Sequence, residues 1–128
     1  MHIDRAQESL KAAELCLDRA LVNSAASRAY YAMFQAAQVA LEAAGFMRSE
    51  WSHRGVQAAF TTELVQRRKL YPAALRDYLS VGLEIRQAAD YGRGGASGKM
   101  AGRAVRRAAS FVARVKEVTH HGRPGGAS

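Results

Sequence analysis

The chain has 128 residues, a length that suits one domain removing about two-thirds of its unfolded surface from water. Hydrophobic residues make up 48% and charged residues 23%, which excludes global disorder, and no apolar run approaches the roughly 18 residues of a membrane span. The net charge of +8 is uneven: residues 1–92 carry +1 and residues 93–128 carry +7, so a near-neutral body ends in a segment suited to a polyanion, either nucleic acid or an acidic protein.

The pattern reads as helices throughout. Ile3, Asp4 and Gln7 have the spacing of a staple residue, an N-cap and its capping-box partner. Ala6, Leu10, Ala13, Leu17, Ala20 and Leu21 then extend one apolar face to about residue 22, where Asn23 or Ser24 caps again. The second helix runs to Gly45 at the C′ position. Its faces carry Tyr30, Phe34, Ala37 and Leu41, and Ala25, Ala29, Met33, Ala36 and Ala40, which places it mid-bundle. Its narrow polar strip, Arg28, Tyr31, Gln35, Gln38 and Glu42, faces solvent or a groove, and Arg28, Tyr31 and Gln35 are its groove-lining candidates.

Phe46, Met47 and Trp51 bring apolar bulk to the connection that follows, as cover for the core or for a dimer surface. Ser52 caps a third helix with His53, Val56, Gln57, Phe60 and Leu64 along one side. Pro72 opens a fourth, whose core face is Leu75, Leu79, Leu83 and Ala89, and on which Arg86 and Asp90 fall four residues apart. The glycine-rich run 92–98 breaks the chain, and Ser97 caps a fifth helix. That helix buries Ala101, Ala104, Val105, Ala108, Val112 and Val115 and presents Arg103, Arg106, Arg107, Ser110 and Arg114 opposite. This basic stripe is a solvated face or a site for nucleic acid or a partner. The expected architecture is all-α: an up-and-down bundle of four to five helices over residues 1–117, with 118–128 a flexible tail.

Other chemistry is thin. The start, Met1-His2-Ile3-Asp4, has no basic stretch followed by an apolar one, so no signal peptide is expected and the cytoplasm is the expected compartment. Cys16 stands alone, which excludes an internal disulfide, and His120 and His121 are adjacent and terminal, so neither a metal nor another cofactor is expected.

Three segments together carry a resemblance: Ser27-Arg-Ala-Tyr-Tyr-Ala-Met-Phe34, Ser52-His-Arg-Gly-Val56 followed by Phe60, and Arg86-Gln-Ala-Ala-Asp-Tyr91. In this order the chain resembles the HEPN domain (higher eukaryotes and prokaryotes nucleotide-binding), in its small stand-alone bacterial and archaeal branch. The resemblance implies a helical bundle that pairs as a homodimer. In active members an Arg and a His separated by four to six residues face their mates across a cleft and cleave RNA without metal. It also implies membership of a toxin–antitoxin module beside a minimal nucleotidyltransferase, with RNA or nucleotide as ligand and no membrane.

The departure from that pattern is specific. Arg86 holds the motif's arginine position, but Asp90 and Tyr91 stand where a histidine is expected. A carboxylate repels phosphate, and a phenol with an ordinary pKa of about 10 is a poor base. The leading expectation is therefore an RNA- or nucleotide-binding module without the usual Arg/His chemistry. The alternative is a ribonuclease in which Arg86 works with a substitute base, His53 or Tyr91. For Arg86 and Asp90 the plain reading is a structural ion pair; for Tyr91, a core tyrosine or an exposed acceptor of nucleotide modification.

Overall fold

The computed structural model describes residues 1–92 and 94–121, and among these the regular structure is helical. In chain order the helices are α1 (Ile3–Asp18), α2 (Val22–Ala43), α3 (His53–Ala59), α4 (Ala73–Tyr91) and α5 (Gly98–His121). A π-helical stretch, Phe60–Arg67, continues α3 without a break. Helix α5 runs four residues beyond the expected boundary at 117; the remainder of the expected tail, 122–128, lies outside the described residues, as does Arg93.

Helix α2 packs against every other helix. Its apolar character runs almost all the way round: Tyr30, Met33 and Leu41 are fully buried, among a run of buried alanines. Each large side chain removed from water in this way contributes about 1.5–3 kcal/mol. The alanines set how near the neighbours come. At the crossing with α4 the limit is reached at Gly82, where an added methyl would stand 2.5 Å from Met33 Cε and 3.4 Å from Tyr30 Cδ1. Helix α5 closes the core with Phe111, beside the expected Ala101, Ala104, Val105, Ala108, Val112 and Val115.

The helix ends show where sequence signals compete. Helix α1 starts one residue before the expected cap, because His2 Nδ1 accepts the Asp4 N–H and takes the N-cap position. It also ends earlier than expected. Ala20 adopts φ +59°, Leu21 N–H donates to Cys16 C=O and Ala20 N–H to Leu17 C=O, which closes a Schellman turn without glycine. Asn23 and Ser24 then lie inside α2, whose N-cap is Leu21, so neither is the cap. Asn23 instead uses Oδ1 to accept the Ala96 N–H at 2.8 Å, tying the segment before α5 to the start of α2. Gly45 is the C′ residue of α2, at φ +95°, with Phe46 N–H donating to Leu41 C=O.

Ser52 accepts the Gly55 N–H at 2.9 Å and Ser97 the Met100 N–H at 3.1 Å, so both caps stand where the sequence places them. The π-helical turn is a departure from the expected regular third helix. Its wider winding keeps Phe60, Leu64 and Val65 all buried, a set spaced four and five residues apart. On α4 the core line is Leu75, Leu79, Gly82 and Ile85; Leu83 and Ala89 are only half-buried, being turned aside from that line.

Candidate functional site

Helices α2 and α4 bring the motif residues into one cluster, and α3 adds His53. Arg86 is its centre, with a side chain only 19% exposed. Nη2 donates to the Tyr31 hydroxyl at 3.1 Å, and the guanidinium carbon lies 4.7 Å from the Tyr31 ring centre and 5.8 Å from that of Tyr30. The two rings hold the cation through their negative faces as well as through the hydroxyl. Asp90 Oδ2 lies 3.3 Å from Arg86 Nε, near enough for Coulombic attraction but not aligned as a hydrogen bond. Nε is thus a buried donor without an aligned acceptor. The other carboxylate oxygen of Asp90 accepts from Ser27 Oγ at 2.7 Å, which anchors the end of α4 to α2.

His53 belongs to the same cluster through its aromatic neighbours. Its Nδ1 pairs with the Tyr30 hydroxyl at 2.9 Å, and its ring centre lies 4.5 Å from Phe34, 5.4 Å from Tyr30 and 6.5 Å from Tyr31. Burial lowers the pKa of His53, and the positive charge of Arg86 lowers it further. The imidazole is therefore held neutral. Tyr30 is fully buried, and its hydroxyl is pushed up to about 12, chiefly by desolvation. As a protonated phenol it shares one hydrogen bond with His53 Nδ1, whose direction is set by the imidazole tautomer. Gln57 stands beside that hydroxyl and keeps its own Nε2 buried without an acceptor.

In front of this cluster lies an open cleft of about 540 Å³ lined by Asn23, Ser24, Ser27, Arg28, Tyr31 and Asp90. Its lining mixes an exposed cation, a carboxylate, two serine hydroxyls, a phenol and an amide, donors and acceptors suited to a polar, anionic ligand. Among the described residues no group of three His, Cys, Asp or Glu side chains gathers as a metal site.

The expected site residues separate accordingly. Arg86, Asp90, Tyr31 and His53 come together, and Arg28 joins the cleft. Gln35 is drawn elsewhere, its Oε1 accepting from Ser9 of α1 at 2.6 Å. Tyr91, expected as a core residue or an exposed acceptor, is 82% exposed and holds no place in the cluster. On α5, Arg103, Arg106 and Arg114 are exposed, whereas Arg107 lies over the Tyr78 ring at 5.3 Å. Ser27, Asn23 and Tyr30 were not singled out as site residues by sequence reasoning. Tyr30 carried a usable signal, since a tyrosine on an apolar helix face needs a buried partner for its hydroxyl.

The family model of the HEPN domain matches residues 1–118. The chain belongs to the HEPN family. It is also 37% identical, over 90 residues, to a UPF0332 protein of Gloeobacter violaceus, an alignment that covers 70% of this chain and 69% of that one. The helical bundle is that of a HEPN protein, and no described helix is long and apolar enough to cross a membrane.

Proposed function

We propose that this HEPN protein is a homodimeric RNA- or nucleotide-binding component of a toxin–antitoxin or stress module in the cytoplasm. It acts with a minimal nucleotidyltransferase and dispenses with the Arg/His ribonuclease chemistry of active relatives. One observation carries this reading: Arg86 is held by Tyr31 and Asp90, which line a cleft with no imidazole in its lining. A base placed there would have to take a proton from a ribose hydroxyl. Asp90 instead adds negative charge beside the arginine that would meet the phosphate. What remains in the cleft is the cation of Arg28 and the hydroxyls of Ser24, Ser27 and Tyr31, suited to hold phosphate or ribose, with Arg86 behind Tyr31 and Asp90.

The ribonuclease reading keeps one observation in its favour. His53 is neutral, lies one aromatic ring from Arg86, and senses its charge. A neutral imidazole can accept a proton, provided that it leaves Tyr30.

The test is RNA binding and RNA cleavage by the full chain in EDTA, beside Arg86→Gln and His53→Ala. Binding that weakens about tenfold in Arg86→Gln, without cleavage by any variant, supports the binding module; tenfold corresponds to one charge-assisted contact. Cleavage that survives chelation and falls in both variants establishes the ribonuclease instead.

A further inference from the structure

Lys99, Arg103, Arg106 and Arg114 are exposed on α5, and with Ser110 they recur at steps of three and four residues. At 3.6 residues per turn these five side chains fall within an arc of roughly 80°, and at 1.5 Å per residue the line is about 22 Å long. Among the described residues none of the four cations has an ion-pair partner. Glu117, one turn past Arg114, is the only acidic residue of the helix. A row of like charges, three of them one helical turn from the next, disfavours the helix that carries it. Among the described residues no ion pair offsets it.

We infer that this ridge is a docking surface for the phosphate backbone of double-helical RNA, an inference that rests on the proposed RNA-binding function and assigns its ligand class. The choice follows from what the ridge lacks. The exposed large apolar side chains of the described chain are Met1, Leu15, Leu21, Met47, Leu70 and Tyr91, and none lies on α5. Unpaired bases would therefore find no ring to stack on. An acidic protein would find no buried anchor of the kind that dominates protein interfaces. A lipid surface would need the apolar face of α5, which Phe111, Val112 and Val115 commit to the core. A duplex needs none of these. It offers a dense row of phosphates and hides its bases, and guanidinium groups in line bind such oxygens two at a time. The contact is blind to sequence and set by shape and charge.

The experiment is fluorescence anisotropy of the full chain with a 20-base-pair RNA duplex, a DNA duplex of equal length, single-stranded oligouridine and a polyglutamate peptide, at several salt concentrations. The variants are the triple Arg103→Gln/Arg106→Gln/Arg114→Gln and, separately, Arg86→Gln. Three or four neutralised phosphates predict that raising salt from 50 to 200 mM weakens duplex RNA binding by about 40- to 150-fold. The triple variant, checked for unchanged helical signal and melting, should lose most of the affinity and most of the salt dependence. Binding of duplex RNA at least as tight as duplex DNA, and tighter than oligouridine or polyglutamate, supports the ridge. Tighter binding to any of those three probes overturns it, as does a triple variant with unchanged affinity and salt slope. If Arg86→Gln abolishes RNA binding while the triple variant does not, the ridge fails and the cleft stands. If the wild-type chain binds no RNA at all, both fail.

Discussion

The protein uses arginine in two opposite ways. Arg86 sits among rings, a phenol and a carboxylate, its donors largely taken up by neighbours on α2 and on its own helix. Arg103, Arg106 and Arg114 are exposed on α5 with no ion-pair partner among the described residues. A charge count therefore locates neither function nor stability. A guanidinium packed against aromatic faces holds helices in register, and its removal leaves Tyr31 without its donor and Asp90 with Ser27 alone. An exposed guanidinium contributes little to the fold and is free for an external anion.

The largest effect is expected at Tyr30. Tyr30→Ala removes a fully buried ring that backs both His53 and Arg86, and should cost about 3–5 kcal/mol in urea unfolding. The triple α5 variant should stay within about 0.5 kcal/mol of wild type per site in the same measurement. Equal losses in the two regions would erase the distinction. A double-mutant cycle with Arg86→Gln and Asp90→Asn should then give a coupling of about 0.5–1 kcal/mol, whereas Arg103→Gln and Arg114→Gln should add within about 0.5 kcal/mol.

The smallest effect is in pH. The folded pKa of His53 lies below its unfolded value of 6.5, so the unfolded chain takes up a proton first as the solution is acidified. Stability from this group is full above about pH 6.5 and is lost as the pH falls toward the folded pKa. Melting temperatures measured between pH 7.5 and 5.5 should decline in wild type, and His53→Gln should flatten that part of the decline. A wild-type curve identical to that of the variant would mean that the ring is not held neutral.

Much of this was readable in the sequence because period and capping are local. The five helices, the caps at Ser52 and Ser97 and the C′ role of Gly45 follow from side chains acting within a few residues. The errors arose where a distant partner outbid a local one. Asn23 has the right chemistry for a cap but accepts from Ala96, 73 residues away, and Gln35 has the right face for the cleft but is drawn to Ser9. The i, i+4 relation of Arg86 and Asp90 was visible in the sequence; the Tyr31 ring beneath the guanidinium was not, because that contact spans 55 residues. The π-helical turn left no sequence signal beyond the spacing of Phe60, Leu64 and Val65.

Asn23 links the two regions just contrasted. Its side chain lines the cleft, and the same amide oxygen holds the Ala96 N–H one residue before the cap of α5. A ligand in the cleft that claims that oxygen frees the peptide at which the basic helix is moored. Thermodynamic reciprocity then requires the converse, so anything that fixes the root of α5 alters affinity at the cleft by the same factor. Asn23→Ala would cut the mooring, and duplex RNA affinity would then be the same with and without a ligand in the cleft.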